Sequence, residues 1–216
     1  MANQTEAVHN AEFLYSEAPG YRSREKITVV SGAGILLPGT VLGQAQVATP
    51  ATAAAVAGNT GNGTMGTVTV GAGAKVGVYT LTIIEPATNA GVFVVEDPAG
   101  LTVGRGNVAS AFSGGGLSFT LADGSTDFAS GDQFTITVAA GTLKYNQLNT
   151  AGTLGTQNAV AILYGGVDAT SADQPATVIA RAAEVDAALI VWPAGISTNA
   201  KNAAIAQLAA VGIQFR

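Results

Sequence analysis

The chain has 216 residues, 28 of them Gly and none Cys, with nine Lys and Arg against fourteen Asp and Glu for a formal charge of −5. This composition suits a β-rich chain with tight turns, long enough for two modest domains, and it excludes disulfides and zinc sites built from Cys thiolates or His clusters. The few scattered cations also speak against a nucleic-acid partner, because neutralising phosphates needs clustered Lys and Arg. The opening residues, Met1-Ala2-Asn3-Gln4-Thr5-Glu6, show no basic region followed by an apolar one. No apolar run approaches the roughly 20 residues of a membrane span. The chain therefore reads as soluble and unexported, with no membrane partner.

Residues 1–25 are polar apart from a few positions such as Val8, Phe13, Leu14 and Tyr15, which follow no period. Such a segment does not bury enough surface to order itself alone. From Lys26 the chain turns to β-branched residues interrupted by Gly32, Gly34 and Pro38-Gly39, the chemistry of strand, turn and strand. Residues 45–63 are rich in Ala, Thr, Gly and Asn and read as a linker. A helix over 51–57 is the competing reading, but a stripe of alanines with one valine buries little.

Residues 64–140 alternate with period two. Val76, Val78, Thr80, Thr82 and Ile84 fall on one face of a strand, with Tyr79, Leu81 and Ile83 on the other. Further runs at 92–95, 117–121 and 134–138 are separated by Gly, Pro and Asp, which predicts a small antiparallel β-sandwich or barrel. In the last run Phe134, Ile136 and Val138 are expected to point inward, Thr135 and Thr137 outward. Near the C-terminus, Ser197 or Thr198 caps a short helix with Ala204, Ile205, Leu208 and Val211 at helical spacing. Gly212 ends it, and a strand over 212–216 follows.

Catalytic and cofactor chemistry finds little support. His9 is the only histidine and lies in the N-terminal segment, away from any scaffold that would fix it against a nucleophile. Asp123, Asp127 and Asp132 offer oxygen ligands for calcium, but their spacing is not that of an EF-hand loop and Asp-Gly is ordinary turn chemistry. The runs 71–74 and 114–116 lack the strand-to-helix context and the Lys of a phosphate-binding loop. Trp192 without convergent polar groups is a core or interface anchor before it is a stacking site for a sugar or base. The residues thus name no catalytic group, no metal ligand and no cofactor, and the chain is not expected to be an enzyme.

Two separated stretches carry more information: Ser16-Glu17-Ala18-Pro19-Gly20-Tyr21-Arg22-Ser23-Arg24-Glu25, and Ala187-Ala188-Leu189-Ile190-Val191-Trp192-Pro193-Ala194-Gly195-Ile196. With 36–43, 158–163, 167–170 and 175–181 between them, they form an ordered set of blocks that resembles the bacteriophage head decoration family of the lambda type. The resemblance implies a mainly β, β-clip-like decoration domain with one short helix, formed by 26–44 and 141–216. It makes residues 1–25 a capsid-binding arm and leaves 64–140 as an inserted β domain behind the 45–63 linker. It further implies a homotrimeric cement protein that binds the major capsid protein on the outer surface of the virion, after synthesis in the host cytoplasm. Phe13, Leu14, Tyr15, Ser16 and Glu17 are then the candidate capsid contacts, and Leu189, Val191, Trp192, Pro193 and Ile196 the trimer or core anchors. The alternative function is a surface-displayed adhesin or carbohydrate-binding module, with a host-surface glycan as a partner for the inserted domain.

Overall fold

Short β-branched runs punctuated by glycine form nineteen strands and one α-helix among residues 8–216, the residues that this computed structural model describes. The chain divides into two units: Met1–Ala45 with Leu143–Arg216, and Gln46–Thr142. The first unit opens with β1 (Leu14–Glu17), β2 (Arg24–Val29), β3 (Gly34–Leu36) and β4 (Val41–Gln44). The second holds β5 (Thr52–Ala55), β6 (Thr64–Met65), β7 (Thr69–Val70), β8 (Gly77–Ala87), β9 (Ala90–Glu96), β10 (Thr102–Asn107), β11 (Ala111–Gly114), β12 (Leu117–Ala122) and β13 (Gln133–Val138). The chain then returns through β14 (Tyr145–Gln147), β15 (Ala161–Leu163), β16 (Val167–Ala169), β17 (Gln174–Ile179), β18 (Ala183–Val185), α1 (Thr198–Ala210) and β19 (Ile213–Phe215).

In unit 1 a closed barrel runs in the order β14-β2-β17-β15-β4. Adjacent residues of a strand point to opposite faces, and here both faces are covered. Val29, Leu42, Ala161, Leu163 and Val178 join one core cluster, closed by Leu36 and Ala169 of the β3–β16 ribbon. Their chain neighbours Val41, Ile162 and Ile179 join a second cluster with Phe13, Val185, Leu208 and Ile213. Double burial explains why these barrel strands read as unbroken apolar pairs. The second cluster lies between the barrel, the three-stranded sheet β1-β18-β19 and α1. The helix starts as its sequence predicts, with the Ser197 Oγ accepting the Ala200 N–H at 3.2 Å. Gly212, at φ +83°, takes the left-handed conformation that ends it.

Gly43 makes the barrel wall sensitive to a single methyl group. A Cβ there would stand 2.1 Å from the Thr156 carbonyl oxygen and 2.9 Å from its Cα, and backbone does not yield as a side-chain tip does. Gly43→Ala is therefore expected to cost about 1–3 kcal/mol, as overpacking does. An unchanged midpoint in denaturant unfolding would show that the Thr156 loop moves freely.

Unit 2 is two antiparallel sheets, β10-β9-β8-β13-β5 and β11-β12-β6, with β7 also paired to β12. The alternation read from the sequence holds: Tyr79, Leu81, Ile83, Phe134, Ile136 and Val138 are all buried. Phe93 of one sheet meets Phe112 and Phe119 of the other, with centroids 5.7 and 6.0 Å apart, so the aromatic cluster joins the two layers. The stretch 45–63 differs from its reading as a linker. It contains β5, paired with β13 from Thr52↔Thr137 to Ala55↔Phe134, and no helix forms over 51–57. All four β5 residues are exposed, so main-chain pairing rather than side-chain burial makes the strand. Gly61 and Gly63 pack beneath Phe128, where a Cβ would come within 2.4 Å of the ring.

Candidate functional site

The N-terminal segment is docked on its own unit from Asn10 onward. The Ala11 N–H donates to the Tyr164 carbonyl at 2.9 Å, and the Asp186 N–H donates to the Phe13 carbonyl at 2.8 Å. β1 then runs antiparallel to β18, with Leu14 opposite Val185 and Glu17 opposite Ala183, and a bulge between Leu14 and Ser16. Side chains fix this pairing. The Tyr15 hydroxyl donates to Asp186 at 2.9 Å and the Ser16 hydroxyl to Glu184 at 2.9 Å. Glu17 accepts from the buried Ser23 hydroxyl at 2.5 Å and receives a fork from Arg24, at 2.9 Å through Nε and 2.5 Å through Nη2. The Arg24 guanidinium also lies over the Tyr164 ring, 4.3 Å from its centroid.

Five candidate capsid contacts were named in this segment, and the structure separates them. Phe13 is completely buried in the second core cluster, so it anchors the strand to its own unit and is not available to a partner. This corrects its assignment as a capsid contact: a socket of core residues from the barrel, β18 and α1 already encloses the ring. Leu14 packs against the same cluster, whereas Tyr15 is 62% exposed and Ser16 is exposed. Glu17 is half-buried beneath Arg24. Residues 1–7 of the expected arm lie outside the described residues.

The hydrogen bonds from Arg24 and Ser23 hold the Glu17 carboxyl below its ordinary range, and those from Arg216 and Ser16 do the same for Glu184. A depressed carboxylate contributes stability above its unfolded pKa, and that contribution is lost as pH falls through the lower folded value. The thermal midpoint is therefore expected to fall below about pH 4, under the ordinary Glu range. The Glu17→Gln, Glu184→Gln variant, less stable at neutral pH, should converge on the wild type as acid removes what the mutations already removed. Parallel melting curves across that window would refute the assignment.

Three of the five C-terminal anchors line the second cluster. Leu189, Trp192 and Ile196 pack against it from half-buried positions. Trp192 stacks on Phe215 with centroids 6.0 Å apart, and the Lys201 ammonium lies 5.2 Å from the indole centroid. The Trp192 Nε1–H is buried with no hydrogen-bond partner. Val191 works through its backbone, donating to the Gly39 carbonyl at 3.0 Å and accepting from the Val41 N–H at 3.1 Å, and Pro193 beside it is half-buried.

The aspartates do not converge. Asp132 ties two loop segments to one carboxylate, accepting the N–H groups of Thr60, Gly61 and Ala129 at 2.8–3.0 Å. Burial works against its charge, and those N–H groups more than offset it, so its pKa lies below the usual value. Asp127 accepts from the Asn89 N–H. Among the described residues no group of three or more His, Asp or Glu is placed to hold a metal, and no helix is long and apolar enough to cross a membrane.

Sequence reading missed the partners that dock β1, namely Arg24 over Tyr164, Glu184 and Asp186. Glu17 and Arg24 are seven residues apart with a 3-10 turn, Pro19–Tyr21, folding the chain between them, so no helix or strand period pairs them in the sequence.

Comparison with known proteins gives one match that carries weight. A family model described as bacteriophage lambda head decoration protein D matches residues 3–213. No curated protein matches the chain. Among solved structures, FlgL of Xanthomonas campestris is similar at 18% identity and a TM-score of 0.34, over 52% of this chain and 34% of that one. The flagellar junction protein FlgL of Legionella pneumophila is similar at 15% identity and a TM-score of 0.33, over 50% of this chain and 35% of that one. The matched region thus spans about a third of those proteins' length.

Proposed function

Because the chain belongs to the bacteriophage lambda head decoration protein D family, and so has a structural role on the phage capsid, we propose that it binds the outside of the expanded head as a trimer. Its partner in this reading is the major capsid protein, and its effect is to stabilise the shell against the outward pressure of packed DNA. The observation that carries the proposal is the family match over residues 3–213. Physical logic supports it, since a symmetric trimer touching several capsid subunits adds many weak contacts that must break together when the shell opens. The half-buried apolar group of Leu189, Trp192 and Ile196 is a candidate contact between copies. No catalytic step is required for this role.

The test is to add the purified protein to expanded heads lacking decoration, image them, and heat them. Density at three-fold positions and a raised disruption temperature are expected. Heads that gain neither would overturn the proposal.

A further inference from the structure

We infer that Arg24 is a positioning residue for head attachment, acting by fixing where the N-terminal segment leaves the body. This rests on the attachment reading above, and it names the device that such a reading needs. A segment that reaches a partner from a body must leave that body at a fixed point, or the reach is spent on disorder.

Three elements meet at Arg24. It forks onto Glu17 of β1 through two nitrogens, at 2.9 and 2.5 Å. Its guanidinium carbon lies over the Tyr164 ring, 4.3 Å from the centroid. The backbone of that same Tyr164 accepts the Ala11 N–H, three residues before β1 begins. One side chain therefore ties both ends of the docked stretch, Ala11 through Tyr164 and Glu17 directly. Ser23, next in the chain and fully buried, donates to the same Glu17 oxygen as the Arg24 Nε. A lysine supplies the charge but neither the fork nor the flat stacking surface. The Glu17–Arg24 pair is only partly solvated, with side chains 19% and 26% exposed, so losing it also lowers the thermal midpoint by a few degrees, too little to unfold the protein under binding conditions. Position, rather than fold, is what the arrangement controls.

The experiment compares Arg24→Gln and Arg24→Lys with wild type for binding to undecorated expanded heads, with the thermal midpoint measured on each. Binding is expected to weaken about tenfold or more for Arg24→Gln and less for Arg24→Lys, with thermal midpoints within a few degrees of wild type. A second arm uses Ala18→Cys with Ala182→Cys, two residues outside the candidate capsid contacts. The Ala18 N–H donates to the Ala182 carbonyl at 3.0 Å in a protein with no Cys of its own, so the disulfide pins the end of β1 against β18 by another means. Adding that cross-link to Arg24→Gln should restore binding to near the wild-type level. Equal binding by all variants overturns the inference. So does loss that the cross-link fails to restore, since Arg24 would then touch the capsid itself, and so does loss caused by the cross-link alone, since β1 would then have to leave. If wild type fails to decorate heads, the attachment reading falls, an outcome distinct from the others.

Discussion

Replacing Gln46–Thr142 by a short Gly/Ser bridge should leave unit 1 folded and, on the decoration reading, still able to bind heads. The reason lies at the two crossing points. Ala45 and the returning chain are already hydrogen-bonded neighbours, with the Ala45 N–H donating to the Lys144 carbonyl at 3.0 Å and the Leu143 N–H donating to the Ala45 carbonyl at 2.9 Å. A bridge of a few residues spans that gap without moving either strand. The two core clusters of unit 1 draw only on residues outside the deleted stretch, so the deletion removes no side chain from them. Circular dichroism and a cooperative thermal transition check the fold, and head binding checks the function. A product that is unfolded would show that Gln46–Thr142 completes the first unit. One that folds but no longer binds would place the capsid contact in unit 2.

Phe13→Ala should destabilise unit 1 by about 3–5 kcal/mol, the usual cost of emptying a buried phenylalanine site. Its ring is fully buried with Val185, Ile190, Leu208 and Ile213 in one cluster. This changes how truncations must be read. Unlike removal of residues 1–7 alone, removal through Leu14 takes away the Phe13 ring and one end of β1. Loss of head binding after the longer deletion therefore mixes an attachment effect with a folding one. Denaturant unfolding separates them, and a Phe13→Ala midpoint equal to wild type would show that the ring contributes nothing to the fold.

The parts of this architecture that were legible in the sequence are those where burial leaves a period. β8 shows Tyr79, Leu81 and Ile83 on one face, β13 shows Phe134, Ile136 and Val138, and the helix declares itself through the Ser197 cap and Gly212. β5 left no such mark, because its alanines and threonine are exposed and its identity comes from β13, about eighty residues away in the chain. The docked N-terminal segment was illegible for a related reason. Phe13 is one buried ring in a polar stretch, and its socket is built from residues beyond position 140 together with Val41. Glu17 and Arg24 meet only because a turn intervenes, and Tyr164 reaches them from the bend that follows β15. The blocks that carry the family resemblance do include Glu17, Arg24 and Trp192. What the blocks do not show is that Glu17 and Arg24 clasp each other while Trp192 lies over Phe215.

The pairing of β4 with β14 has a consequence for the order of folding. These strands are antiparallel neighbours, with Gln44 opposite Tyr145 and Leu42 opposite Gln147, so the whole of unit 2 occupies the place of a hairpin turn. Bringing the two strands together across an unstructured Gln46–Thr142 costs roughly 3 kcal/mol more in loop entropy than closing a four-residue turn. Once unit 2 has folded, its own first and last residues are adjacent, with the Gly141 N–H on the Gln46 carbonyl at 2.9 Å, and the long loop becomes a short one. The barrel is thus expected to close after unit 2 has formed, and a destabilised unit 2 slows the meeting of β4 and β14 before it weakens their contact.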